Sequence, residues 1–183
     1  MVGLSKLFAI ILLLGFVVTA SLTISNRDIH LKNIDERCSF LEKLAPPYIW
    51  GGFWGLLGGD CSGQTYYVFN PDFPGKRTTA YRMWLGYGNW GTDNVKGSMN
   101  SFKVAQFPNQ IYFNYGGKTA SHVGTVRKPT DKEIEEAKKR GKKFIVFAEA
   151  SSSSRYFKRT IIYEGDARYK AILGIKILDI KGK

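Results

Sequence analysis

Apolar residues follow three rhythms along this chain. Leu7–Val18 is apolar on every side, inside an uncharged stretch that runs from Leu7 to Asn26. Residues 31–45 then bring Ile34, Cys38, Leu41 and Leu44 round at helical spacing until Pro46-Pro47 stops the pattern. From residue 109 the rhythm becomes short, apolar and β-branched. "NQIYFNY" (109–115), "SHVGTVRK" (121–128), "KFIVFAEAS" (143–151), "RTIIYEG" (159–165) and "AILGIKILDI" (171–180) predict strands.

Between the second and third of these runs stands a helix with marked ends. Thr130 followed by Glu133 forms a capping box, acids precede bases along "DKEIEEAKKRGKK", and Gly141 stops it. "SGQTYYVFN" after Cys61 predicts a few helical turns. "FPGKRTTAYRMWLGYG" predicts a turn and a short helix capped by Thr78 or Thr79. Residues 86–109, rich in Gly, Asn and Ser, predict an irregular loop. Helices come first and strands after, so the fold class is α+β, with N-terminal helices packed on a central antiparallel sheet of about five to six strands.

The first 25 residues stand apart from that domain. Lys6 precedes an apolar segment that is short for a membrane span and right for a signal-peptide core, and "VTA" at 18–20 offers small residues for cleavage after Ala20. Uncut, the uncharged length would anchor the chain in a membrane. Residues 1–25 are therefore expected to be a signal peptide or anchor and 26–183 one domain, exported to the periplasm, the cell envelope or the medium. Its 44% hydrophobic and 14% aromatic content suits a packed core.

Export draws attention to the two cysteines, Cys38 and Cys61. Two in a chain long enough to bury its own core are no disulfide scaffold, and Cys38 falls on the apolar stripe of its helix. Net charge is +12, which favours anionic partners. Export ranks nucleic acid last among these, behind acidic lipid and the anionic polymers of a cell envelope. The run Lys138–Lys143 reads as a solvated helix end.

Cys61 sits in "YIWGGFWGLLGGDCSG", where glycines at 51, 52, 55, 58, 59 and 63 leave the backbone bare. Such density suggests room for a substrate peptide beside the chain. A cysteine that opens a helix lies near unpaired N–H groups that favour thiolate, the nucleophilic form. A nucleophile needs a base, and the chain has only two histidines, His30 and His122. His30 falls in the expected linker after the leader. His122 opens a strand on the face of Gly124 and Val126. The base in turn needs an orienting partner, and Glu149 ends the apolar row Ile145, Phe147 on one strand face, where a charge is costly unless paired.

In combination, "PYIWGG…GGDCSG…KRTTA…SHVGTV…AEAS" resembles the NlpC family of papain-like cysteine peptidases, which cut peptides of the bacterial cell wall. The resemblance covers about residues 46–180 and implies a papain-like fold. It implies Cys61 as nucleophile, His122 as base and Glu149 in the place of the orienting third residue. Tyr48 matches the tyrosine whose hydroxyl lies beside the active site, and Asp60, Ser62, Arg77 and Ser121 belong to the same motifs, toward the oxyanion and the substrate. It implies no metal and no other cofactor, and the chain shows no zinc-type clustering of His, Asp and Glu. The implied partner is the peptide stem of peptidoglycan, with anionic envelope polymers beside it, membrane if the leader is uncut, and no nucleic acid.

Three departures from the family pattern bear on this. The third residue is more often His, Asn or Gln; "PNQI" (108–111) replaces the usual Pro-Gly-Asp-Leu; and Lys128–Lys143 inserts a charged helix that would rim the cleft. Cys before His counts against permuted relatives such as lipid acyltransferases. The expected reaction is hydrolysis of a stem amide, D-glutamate to diamino acid. The rivals are an amidase or transpeptidase-type toxin or phage lysin acting on another amide, and a catalytically silent wall-binding protein of the same fold.

Overall fold

The computed structural model describes residues 26–53, 55–70, 78–86, 92–96, 101–117 and 119–178. Residues 1–25, where a leader is expected, and Arg77 lie outside the described residues.

Helix α1 spans Asn26–Leu44, five residues longer at its start than the apolar pattern predicted, so His30 is an exposed helical residue rather than part of a linker. Ile34, Cys38 and Leu41 form its buried stripe and pack on Val68, Ala148, Ala150 and Phe157. Leu44, expected in the same stripe, is exposed because the helix ends there. Buried Arg127 fastens α1 to the sheet. Its Nε donates to Glu42 at 2.9 Å, while its two terminal nitrogens donate to Asp35 and to the Ser39 hydroxyl. After Pro46-Pro47 the chain is stitched to the far turn of the sheet, Tyr48 N donating to Arg155 O and Phe157 N to Pro46 O.

Helices α2 (Cys61–Phe69) and α3 (Ala80–Trp84) follow, α3 capped by Thr79. A strand, β1 (Thr92–Lys96), and a single helical turn, α4 (Ser101–Val104), occupy the region predicted to be irregular. Then come β2 (Gln110–Phe113), β3 (His122–Val126), α5 (Asp131–Arg140), β4 (Phe144–Ser151), β5 (Tyr156–Tyr163), α6 (Ala167–Lys170) and β6 (Ile172–Leu178). The six strands lie in the order β1-β6-β2-β3-β4-β5, every neighbour antiparallel. The α+β architecture with N-terminal helices on a central antiparallel sheet is therefore present, at six strands.

The sheet is covered on both faces, which is why its strands read as nearly continuous apolar runs. On one face Ile111, Phe113, Val126, Ile145, Phe147, Ile162 and Ile175 pack with Tyr169 of α6 and Phe102 of α4. On the other, Tyr112 and Val123 meet Cys61, Ala80 and Met83, while Ala148, Ala150 and Phe157 meet α1 and α2. Helix α5 carries the expected capping box and a left-handed Gly141 at φ 60°. It is anchored to edge strand β5, Arg159 pairing with Glu133 and Arg140 lying over the Tyr163 ring.

Candidate active site

Asp60 builds the platform. As N-cap of α2 it accepts from Gly63 N (2.8 Å) and from the Ser62 hydroxyl (2.7 Å) with Oδ1, and from Gly51 N (3.1 Å) with Oδ2. One carboxylate thus ties the start of the helix to the preceding loop. Ser62 also donates to Thr78 O at 3.2 Å, so both residues are engaged in framing Cys61.

The glycines around Cys61 serve the protein's own chain. A Cβ at Gly63 would lie 2.2 Å from Gly52 O, the carbonyl that accepts from Asp60 N. At Gly58, φ is +119° and a Cβ would lie 2.6 Å from Pro47 O. The expectation of room for a substrate peptide is corrected at these positions, since backbone fills that space. Apolar side chains of the same loop point outward instead, Trp50 at 83% and Leu57 at 74% exposure.

Cys61 opens α2 and is 7% exposed. His122 opens β3. Pairing between β3 and β4 covers Thr125–Ala148 and Val126–Phe147 only, so the strands part where His122 and Glu149 stand on one face. Just before they part, Gly124 lets β3 and β4 approach closely, since a Cβ there would meet Ala148 O and the Phe147 ring at 2.8 Å. His122 Nε2 lies 2.5 Å from Glu149 Oε2, which leaves Nδ1 as the ring nitrogen not engaged by the carboxylate, and Cys61 lies near enough to the imidazole to raise its pKa. Phe113 and Tyr115 flank the imidazole, each with its ring centre 5.8 Å away. Ser121 Oγ accepts from Tyr115 N and donates to Phe113 O, closing the β2–β3 turn that brings these rings to the site.

Glu149 is fully buried, which accounts for its being paired on every side. Arg168 of α6 grips it with two bonds, 2.8 Å to Oε1 and 2.7 Å to Oε2, and the Thr160 hydroxyl donates to Oε1 at 2.8 Å. The remaining guanidinium nitrogen donates to the Tyr115 hydroxyl at 2.9 Å. The guanidinium carbon lies within 5.3–5.8 Å of the ring centres of Phe113, Tyr115 and Phe147.

The electrostatics follow from these contacts. Burial alone would raise Glu149, but its hydrogen bonds with His122 and Arg168 hold it down at about 2. Burial alone would lower His122, but its bonds to Cys61 and Glu149 push it up to about 9. Burial, and then the nearby Cys61 and Asp60, push the Tyr48 phenol up to about 12, which puts Tyr48 within electrostatic reach of the thiol.

The structure therefore brings Cys61, His122, Glu149 and Tyr48 together, and assigns Asp60, Ser62 and Ser121 to the frame around them. Arg168, Thr160 and Tyr115 were not singled out from the sequence. A carboxylate on an apolar strand face signals that some cation must reach it, but not which. A groove of about 240 Å³ between α1 and α2, lined by Asn33, Glu36, Arg37, Phe40 and Tyr67, shares no residue with this constellation. Among the described residues no group of three or more His, Cys, Asp or Glu is arranged to hold a metal ion.

The arrangement defines a class of site, a helix-opening cysteine with a carboxylate-oriented histidine on an α+β fold. No protein-family profile matches the sequence, and no curated protein matches it. Five solved chains are similar to it, NlpC1 and Ly7917 among them. NlpC1 from Trichomonas vaginalis aligns over 80% of this chain with 21% identity and a TM-score of 0.48. Ly7917 aligns over 81% with 10% identity and a TM-score of 0.49. The alignments span 44% and 62% of those chains, less than two thirds of either.

Proposed function

We propose that this chain is a thiol hydrolase of the NlpC type that cleaves an amide bond in the peptide stem of bacterial peptidoglycan, D-glutamate to diamino acid. One observation carries the reading: a cysteine at a helix start lies beside a histidine whose Nε2 faces a buried carboxylate. The "WGG", "DCSG" and "SHVG" segments around these residues supply the substrate class.

In this reaction His122 accepts the Cys61 proton and the sulfur attacks the scissile carbonyl carbon. The tetrahedral intermediate collapses as the C–N bond breaks, and His122 returns the proton to the leaving amine. Water, deprotonated by His122, then hydrolyses the thioester and regenerates the thiol. Glu149 holds the imidazole with Nδ1 toward the sulfur. The Cys61 N–H and the Tyr48 hydroxyl, protonated up to about pH 12, donate to the oxyanion. Asp60, Ser62 and Ser121 keep the thiol and the base in register, and Arg77 is assigned to the substrate side. No metal takes part in these steps.

The enzyme acts outside the cytoplasm, freed by cleavage of its leader or anchored through it. Its net charge of +12 holds it on an anionic wall. Wall binding should then weaken steeply with salt, and salt-independent binding would remove that role from the charge.

The test is to incubate the reduced full-length protein with purified muropeptides and read the products by mass. Two fragments parted at the D-glutamate to diamino acid bond are expected. Cleavage of a different amide would replace the bond assignment with the amidase or lysin alternative. Unchanged substrate with folded protein would overturn the hydrolase reading in favour of a silent wall-binding protein.

A further inference from the structure

We propose that Arg168 is a positioning residue of the site, making Glu149 and Arg168 together, rather than Glu149 alone, the unit that orients His122. This rests on the hydrolase reading above for its catalytic consequence, and on geometry alone for its physical content. A lone buried carboxylate against a histidine forms a closed ion pair. It would raise the imidazole beyond the value of about 9 that it has here and make it a still poorer acceptor for the Cys61 proton.

Arg168 limits this rise in two ways. Its fork engages both Glu149 oxygens, so the guanidinium charge offsets the carboxylate charge and presents to His122 a nearly neutral hydrogen-bond acceptor. Its Nε bond to the Tyr115 hydroxyl and its stacking between Phe113, Tyr115 and Phe147 fix the fork, and with it the direction in which Oε2 faces Nε2. Where the third residue is an amide, neutrality comes with the side chain. Here it is assembled from two charges on separate elements, β4 and α6.

The groups that bear on His122 come from every element around it. Cys61 opens α2, Glu149 lies on β4, Thr160 on β5, Arg168 on α6 and Tyr115 on the β2–β3 turn. Lys158 stands opposite Glu149 in the β4–β5 register, and Asp60 and Tyr48 lie near Cys61. Arg168 is the cation bonded to the carboxylate, so its removal leaves that negative charge to His122.

The experiment is a proton titration of the two histidines by NMR, with exposed His30 as internal reference. In the full-length Arg168→Gln variant the His122 titration should move up by about one pH unit or more while His30 stays fixed. Combining Arg168→Gln with Glu149→Gln should bring it below the wild-type position. An unmoved or lowered His122 titration in folded R168Q would overturn the proposal. Should R168Q not fold, Arg168→Lys carries the test. It keeps the charge but loses the fork, so His122 should titrate near its wild-type position while muropeptide hydrolysis falls about tenfold. Unchanged hydrolysis in R168K would overturn the proposal. A shifted titration in R168Q with no hydrolysis by wild type would sink the hydrolase reading and leave the Arg168 assignment standing.

Discussion

Cys38 and Cys61 are both buried free thiols on helices that pack against the same sheet, yet their surroundings differ in kind. Cys38 lies mid-helix, fully buried among Ile34, Leu41, Val68 and Phe157, and burial pushes its thiol up to about 12. Arg127 nearby acts to lower it, but is itself engaged by Glu42 and Asp35. Cys61 stands at a helix start, 7% exposed, with an imidazole near it and a carboxylate behind the imidazole. Burial alone therefore does not decide whether a cysteine is inert. The charged and titratable groups beside it bear on that too.

The largest break in this comparison is the removal of each sulfur. Cys61→Ala should abolish muropeptide hydrolysis, about a thousandfold or more, and leave the melting temperature nearly unchanged. Cys38→Ala should keep hydrolysis and lose about 1 kcal/mol of stability to a small cavity. Chemical denaturation of both variants beside an activity assay checks the pair, and retained hydrolysis in C61A would end the account.

Glu149→Gln comes next. It leaves Arg168 facing a neutral amide and weakens the hold on His122, so hydrolysis should drop about tenfold to a hundredfold. Full activity would mean that another group orients the imidazole.

The pH dependence of stability sharpens the same contrast. His122 is raised from 6.5 to about 9, so its contribution is complete below pH 6.5 and is lost as pH rises through about 9. Glu149 is lowered from 4.5 to about 2, so its contribution is complete above pH 4.5 and is lost as pH falls through about 2. Wild type should therefore exceed E149Q in melting temperature most between pH 4.5 and 6.5, with the gap narrowing as pH rises through about 9 and closing as it falls through about 2. A difference that does not vary with pH would contradict the pairing.

The smallest effect separates two helix caps. Asp60→Ala and Thr130→Ala should each cost about 1 kcal/mol, somewhat more for Asp60, which also holds Gly51 and Ser62. Only D60A should slow hydrolysis, because only that cap sets Cys61. Equal activity in the two variants would detach the cap from the site.

Legibility in the sequence followed how local each determinant is. Five of the six strands were visible as apolar runs, because both faces of the sheet are covered. Strand β1 was not, since "TDNVK" carries no apolar alternation and gains its place by pairing with β6. The caps at Thr79 and Thr130 were legible because they bond within one turn. Cys61, His122 and Glu149 could be named from their motifs and strand positions. Their convergence depends on strand order and on the parting of β3 from β4, which no local pattern carries. Arg168 was hidden for the same reason. "DARYK" is a short polar segment on a helix, and its partner lies 19 residues earlier on a strand.

The most direct measurement is the rate at which iodoacetamide modifies each cysteine in the folded, reduced, full-length protein, followed by peptide mass. Cys61 should react at least about tenfold faster than Cys38, which waits on local opening of α1, and His122→Ala should slow Cys61 toward the Cys38 rate. Equal rates at the two cysteines, or faster reaction at Cys38, would contradict the claim that the partners of Cys61 make it the working thiol.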